Sequence, residues 1–184
     1  MTQHSANRAA RSPLVVAGLT LDFGPLRAVD DVSFELDRGD ILCLLGASGS
    51  GKSSVLRLIA GLERPTRGEV LIDGRSVAGR DAFVEPERRQ VGMVFQDFAL
   101  FPHLTVRGNV AFGLRGRPAA EIARTVTTLL TDVELVDRAE SYPHMLSGGE
   151  GERVALARAR APGPPLLLMD EPCSSLDAGL RDQV

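Results

Sequence analysis

The chain has 184 residues, of which 43% are hydrophobic and 24% charged, a composition typical of a soluble globular domain with a sizeable core. The formal net charge of −3 argues against a nucleic-acid-binding protein, and no apolar run approaches the roughly 18 residues that a membrane-spanning helix needs. Cys43 and Cys173 lack CxxC spacing and are predicted to be reduced thiols. The polar opening, residues 1–12, is predicted to be a disordered tail of a cytosolic protein.

The first part of the chain is predicted to form short strands. Residues 14–22 alternate loosely, as an edge strand does, and they end at Phe23, whose ring is either a core residue or a stacking platform for a base. Residues 32–36 and 69–73 are predicted to be further strands. Residues 75–89 are polar and rich in helix and strand breakers, so they are predicted to be a connecting loop.

The segment 41–57 carries the clearest chemical motif. Residues 41–45 are apolar and are predicted to be a strand with both faces covered, followed by a helix that ends at Gly61. Between them lies a match to GxxxxGK[ST], formed by Gly46, Ala47, Ser48, Gly49, Ser50, Gly51, Lys52 and Ser53. Glycines allow backbone N–H groups to surround an anion, and Lys52, the sole lysine of the chain, would contact the β- and γ-phosphates while Ser53 binds Mg²⁺. We therefore predict a phosphate-binding loop; the alternative is an ordinary Gly/Ser turn.

The second part of the chain places polar residues after two predicted strands. Residues 91–95 lead to Gln96, and the apolar strand 166–169 leads to Asp170 and Glu171. Parallel α/β proteins place their chemistry at the carboxyl ends of strands, so Asp170 is predicted to hold Mg²⁺ and Glu171 to polarise an attacking water. The alternative is a simple turn. Residues 106–160 are predicted to be mostly helical, and the apolar cluster from Phe98 to Leu104 either forms a docking surface or packs locally.

A third motif, Leu146-Ser147-Gly148-Gly149-Glu150, is predicted to be a second anion site at the start of a helix. With these three motifs the chain resembles the nucleotide-binding subunits of ABC transporters, from about residue 14 to its end, because LSGGE is similar to the family's LSGGQ. The resemblance implies an α/β fold, with a P-loop NTPase core and mainly parallel sheet, an N-terminal antiparallel β-subdomain and a helical insertion subdomain at about residues 106–160. It also implies ATP and Mg²⁺ as ligands and an ATP-hydrolysing subunit that powers an importer.

The resemblance assigns roles to individual residues. Glu171 matches the catalytic base and Gln96 the glutamine that contacts Mg²⁺ and the attacking water. Phe23 takes the position of the aromatic that stacks on adenine. The implied nucleotide-binding residues are Phe23, Gly46, Ala47, Ser48, Gly49, Ser50, Gly51, Lys52, Ser53, Ser54, Ser147, Gly148 and Gly149, and the implied metal ligands are Ser53, Gln96 and Asp170.

The resemblance also implies partners. Two copies would pair head to tail, so that residues 147–149 of one copy cap the γ-phosphate held by the other, with segment 174–177 crossing the interface. Residues 98–104 would receive a membrane permease at the cytoplasmic face of a bacterial membrane, and a solute-binding protein would act indirectly. Residues 85–114 are similar to importers of ferric iron, sulfate, spermidine and putrescine, most of all ferric iron. The three histidines show no ligand spacing, so this subunit is not expected to bind iron itself. The alternatives are a catalytically impaired, truncated nucleotide-binding module and a non-transport ABC-type ATPase.

The chain departs from the family pattern at two places. It has Glu150, Gly151 and Glu152 where the family usually has glutamines, and the added negative charges are expected to weaken closure of the dimer. Gly151 in the first helical turn costs about 1 kcal/mol of helix stability relative to Ala. The chain also stops at Val184, before the strand and switch histidine with which the family continues. We therefore expect a fragment of a longer product, or a truncated product with little activity.

Overall fold

The computed structural model describes residues 13–171, so residues 1–12, Cys173 and segment 174–177 lie outside the described residues. Within this range the chain divides between Val91 and Gly92 into two compact units. None of the helices in residues 13–171 combines the length and the apolar character needed to cross a bilayer.

The first unit is built on a four-stranded antiparallel sheet. Its strands are β1 (Leu14–Phe23), β2 (Leu26–Leu36), β3 (Arg67–Ile72) and β4 (Arg75–Ala78), in the spatial order β2-β1-β3-β4. The prediction that residues 14–22 form an edge strand is wrong, because Leu14 pairs with Leu36 on one side and with Ile72 on the other. Shifts in the register of β1 with both neighbours interrupt its alternation, which explains why the sequence pattern was loose.

The segment predicted to be a connecting loop, residues 75–89, contains regular structure. β4 lies at its start, Ala78 forms an isolated bridge with Phe83, and Pro86–Arg88 is a short 3₁₀-helix. The prediction failed because the apolar content of this segment is confined to a few positions, and Val77 and Ala78 are both buried. Burial of two small apolar residues is enough to hold a four-residue strand against β3.

The predicted helix of the first unit is confirmed as α1 (Lys52–Ala60). Gly61 ends it with a φ of +86°, a left-handed conformation that glycine adopts without strain. Val55, Leu58 and Ile59 form its buried face.

The predicted strand at residues 41–45 is wrong. Those residues have no strand conformation, and the side chains of Ile41 and Leu45 are 92% and 93% exposed. No other segment among residues 13–171 forms a β-ladder with them, so the apolar run has neither backbone partners nor a cover.

The second unit combines a small sheet with helices. Strands β5 (Val91–Val94) and β6 (Leu166–Met169) pair in parallel, as predicted for residues 91–95 and 166–169. Between them lie α2 (Val106–Ala111), α3 (Ala119–Asp132) and α4 (Gly148–Arg160), with short 3₁₀-helices at Phe112–Leu114, Val136–Arg138 and Pro143–Met145. The predicted helical character of this region is confirmed.

Helix α4 is the centre of the second unit because it is buried on two sides. Val154 and Ala157 belong to a core shared with α2 and α3, whereas Ala155 and Ala159 pack with Val94 of β5. The small residues of α4 allow both sets of neighbours to approach closely. Residues 154–159 of α4 are thereby packed against both β5 and the other helices of this unit.

Candidate functional site

The predicted phosphate-binding loop adopts a conformation that depends on its glycines. Gly49 and Gly51 have φ values of +79° and +91°, in the left-handed region that other residues rarely adopt. A Cβ at Gly51 would overlap the backbone carbonyl of Ala28 in β2, so this position also needs the absence of a side chain. The loop therefore bends tightly into the first turn of α1, where backbone N–H groups face outward from the helix.

The ammonium of Lys52 is turned back into this loop. Its Nζ donates to the carbonyl oxygens of Gly46 and Ala47, at 2.8 Å each, and to the Ser50 hydroxyl at 3.4 Å. A positive charge is thus held against the loop, next to the N-terminus of α1. This combination is suited to binding a phosphate chain.

The predicted catalytic residues lie together at the carboxyl ends of β5 and β6. Gln96 Nε2 donates to Glu171 Oε2 at 2.9 Å, and the backbone N–H of Asp170 donates to Val94 O at 3.0 Å. Asp170 is only 8% exposed, whereas Gln96 and Glu171 are exposed. The structure therefore brings an amide, a shielded carboxylate and an accessible carboxylate to one edge of the sheet.

These groups fit a magnesium ion by their donor chemistry. Asp170 and Gln96 offer carboxylate and amide oxygens, the hard ligands that Mg²⁺ prefers. Ser53 lies in the first turn of α1, in the other unit, and its participation with Asp170 in one ion stays a prediction.

The LSGGE motif leads into α4, which has Ser147 as its N-cap and begins at Gly148. The Ser147 hydroxyl accepts from the Glu150 N–H at 3.3 Å, while the Ser147 N–H donates to Glu150 Oε2 at 2.8 Å, which is a reciprocal capping box. Gly148 and Gly149 are exposed, and a Cβ at either would meet open space. The predicted second anion site thus presents an open backbone edge at a helix N-terminus.

Glu150 has a second partner that the motif did not predict. Arg138 Nε donates to Glu150 Oε1 at 3.1 Å. The hydrogen bonds of Ser147, first that of its backbone, together with Arg138 hold the pKa of Glu150 below its ordinary value. The carboxylate is therefore ionised and fixed in place.

The loop 98–104 is held by two polar side chains that sequence reasoning missed. Asn109 is fully buried, and its Nδ2 donates to the carbonyls of Phe101, Leu104 and Thr105 at 3.1, 3.2 and 3.0 Å. Arg158 of α4 donates to the carbonyls of Phe98 and Ala99, at 2.9 and 2.6 Å. Burial lowers the pKa of Arg158. An Asn within a predicted helix, where Asn is not favoured, was the available sequence signal.

Two further predictions concern single residues. Phe23, at the end of β1, is 47% exposed, so it is not a core residue, and its stacking on a base stays a prediction. Gly151, an unexpected glycine at the start of α4, has a structural reason: a Cβ there would lie 3.2 Å from Cδ2 of Phe98. The missing side chain makes room for that ring.

Comparison with known proteins identifies the class to which this fold and these loops belong. The family described as "ABC transporter" matches residues 29–174, and the chain belongs to this family as an ATP-binding domain. The predicted α/β fold and the predicted resemblance are therefore confirmed.

Individual relatives are transport proteins. The chain is 47% identical over 180 residues to the putrescine transport ATP-binding protein PotG of Escherichia coli (strain K12), covering 96% of this chain and 47% of that protein. It is 50% identical over 173 residues to the sulfate/thiosulfate import ATP-binding protein CysA of Mycobacterium tuberculosis (strain ATCC 25618 / H37Rv), covering 93% and 48%. The chain spans about half the length of these curated relatives. Their names concern polyamines and sulfate, so the predicted resemblance to ferric iron importers is not supported.

A solved structure supports the same assignment. The dimeric post-hydrolysis structure of the ATP-binding cassette MJ0796, bound to ADP and Pi, matches with a TM-score of 0.78 and 34% sequence identity. The match covers 92% of this chain and 78% of that chain.

Proposed function

We propose that the chain is the ATP-binding and ATP-hydrolysing part of an importer that moves a small solute across a bacterial membrane. The observation that carries this proposal is the loop at residues 46–53, where left-handed glycines and the inward ammonium of Lys52 form a cradle for phosphates. The family membership supports ATP as the nucleotide.

The residues at the ends of β5 and β6 would supply the groups that hydrolysis needs. Glu171 would accept a proton from the water that attacks the γ-phosphorus, as the bond to the β-phosphate oxygen breaks and ADP and phosphate leave. Gln96, which donates to Glu171, would orient that carboxylate and the water. Ser53, Gln96 and Asp170 would hold Mg²⁺, which neutralises charge on the phosphates when bound. Lys52 would stabilise the same charge from the loop.

The completed site would need a second copy of the chain. The open edge at residues 147–149 lies at a helix N-terminus, and the solved relative is a dimer bound to ADP and Pi. We propose that this edge closes on the γ-phosphate held by the partner, in a head-to-tail pair. Residues 98–104 would receive the membrane permease, and the chain would then lie at the cytoplasmic face of the membrane. A solute-binding protein would deliver the cargo to the permease.

The cargo is proposed from the relatives named above. Putrescine transport and sulfate import are the stated activities of proteins at 47% and 50% identity. A polyamine or a sulfate-like anion is therefore favoured over ferric iron. The adenine of ATP would stack on Phe23, the half-exposed aromatic at the end of β1.

The test separates binding from turnover. We expect the chain to bind ATP with Mg²⁺ and Lys52→Ala to lose binding by at least about tenfold. Glu171→Gln should still bind ATP, and whatever turnover the parent chain has should fall by about a hundredfold or more in this variant. Isothermal titration and phosphate release measure the two steps. Binding without turnover in the parent chain would select the catalytically impaired module, and no nucleotide binding at all would refute the proposal.

A further inference from the structure

We propose that Arg138 is a positioning residue for the LSGGE segment: it neutralises Glu150 so that residues 147–149 can accept the γ-phosphate of a nucleotide bound to a second copy of the chain. The inference rests on the proposed function, because it presumes that this edge meets a phosphate. It assigns a role to an arginine that lies outside all three motifs.

The geometry ties both carboxylate oxygens of Glu150. Oε2 accepts from the Ser147 N–H at 2.8 Å and Oε1 accepts from Arg138 Nε at 3.1 Å. Arg138 ends the 3₁₀-helix Val136–Arg138, a separate element that precedes α4. The carboxylate therefore cannot turn toward solvent without breaking a contact at each oxygen.

The charges explain why such a partner matters. The N-terminus of α4 attracts anions through its unpaired N–H groups and its dipole. A glutamate in the first turn stabilises the helix but repels a phosphate that approaches the same N–H groups. The guanidinium of Arg138 supplies a compensating positive charge beside that carboxylate, so the capping box is kept while its charge is offset.

If the ion pair had a purely structural role, loss of Arg138 would lower the melting temperature rather than act on dimerisation. The side chain of Arg138 is 53% exposed and that of Glu150 is 18% exposed, so the pair is a surface ion pair with little expected effect on folding. Loss of Arg138 should therefore leave the melting temperature nearly unchanged and should act on nucleotide-dependent dimerisation. A lower melting temperature would indicate the structural role, whereas weaker nucleotide-dependent dimerisation would indicate the positioning role.

The experiment measures dimerisation of the full chain by sedimentation equilibrium, with Mg²⁺ and a non-hydrolysable ATP analogue. A head-to-tail dimer has two such edges, so about threefold weakening at each edge gives about tenfold in the dimer dissociation constant of Arg138→Gln. In a Glu150→Gln background, the same substitution should change that constant by less than about twofold. The effect should shrink as salt is raised, because exposed charges are screened.

A matched control is available in the same unit. Arg160, at the opposite end of α4 from the LSGGE segment, forms an ion pair with Asp132, and its side chain is 47% exposed, close to the 53% of Arg138. Arg160→Gln should leave the dimer dissociation constant unchanged within about twofold. If the parent chain and Arg138→Gln dimerise equally well, the inference about Arg138 is overturned while the proposed function stands. The same follows if Arg138→Gln weakens dimerisation equally with Glu150 present and with Glu150→Gln. If the parent chain binds nucleotide but never dimerises with the analogue, the proposed pairing fails and the inference fails with it.

Discussion

Arg89 should be the most costly single arginine to remove from the first unit. It is 3% exposed, its Nη1 donates to the carbonyls of Leu58 and Ile59 at 2.8 and 2.9 Å, and its Nε donates to Val84 O at 2.7 Å. The two helical carbonyls lie in the last turn of α1, the helix that begins at the phosphate-binding loop, where a cation also opposes the helix dipole favourably. Arg89 therefore closes the end of that helix.

The magnitude follows from opposing terms. Three hydrogen bonds from a charged donor contribute about 5 to 9 kcal/mol before the burial of the guanidinium is subtracted. That burial costs several kcal/mol, and residues 13–171 offer no hydrogen-bond partner to the buried Nη2, which costs about 1 to 3 kcal/mol more. We expect Arg89→Met to lower the free energy of unfolding by about 2 to 4 kcal/mol, since three carbonyls lose a charged donor and that of Leu58 keeps the Gly61 N–H.

The assay is urea unfolding followed by circular dichroism, together with hydrogen exchange of the α1 amides. The neighbouring Arg88 is exposed, so Arg88→Met is the matched control and should change the unfolding free energy by less than about 0.5 kcal/mol. Arg89→Met should also speed exchange in the last turn of α1 selectively. If the two variants unfold alike, the reasoning about the capped helix is refuted.

Three further results are expected. Gly51→Ala should destabilise the chain by about 3 kcal/mol, and Gly116→Ala by about 1 kcal/mol. Both glycines have a φ of +91°, but only position 51 lacks room for a Cβ. Urea unfolding compares the two variants, and equal losses of stability would contradict this reasoning. Gly151→Gln should lower stability by about 1 to 2 kcal/mol through its clash with Phe98 despite better helix propensity, and Phe98→Ala should relieve the clash in a double-mutant cycle. The pKa of Glu150 is depressed in the folded state, so its contribution to folding stability is present above the unfolded-state pKa and is lost as pH falls through the folded-state pKa. Glu150→Gln should therefore weaken the loss of stability at acidic pH. An unchanged dependence of stability on pH in that range would argue against this role.

Features that are determined by a few neighbouring residues were predicted correctly from the sequence. The bend around Gly51 and the helix end at Gly61 were predictable because glycine conformation and helix capping are set within a few residues. The strand that ends before Asp170 was predictable for a similar reason, since a short apolar run bounded by breakers has few alternatives.

Features that depend on distant partners were not predictable. Residues 14–22 gave no sign of lying inside a sheet, because a strand's neighbours are chosen by segments far along the chain. Residues 41–45 have the composition of a buried strand, but composition does not supply the pairing that makes one. Asn109 and the pair of Arg138 with Glu150 act over contacts that leave no periodic pattern.

The exposed apolar segment at residues 41–45 affects the solubility of the protein at high concentration. The side chains of Ile41 and Leu45 are almost fully exposed to solvent, and the backbone of this segment pairs with no strand among residues 13–171. Short apolar segments of this kind can pair with identical segments of other copies as β-strands. Concentrated samples should therefore form cross-β aggregates that begin at this stretch. Leu45→Arg should delay their onset in thioflavin fluorescence, because gatekeeper charges oppose the stacking of identical chains.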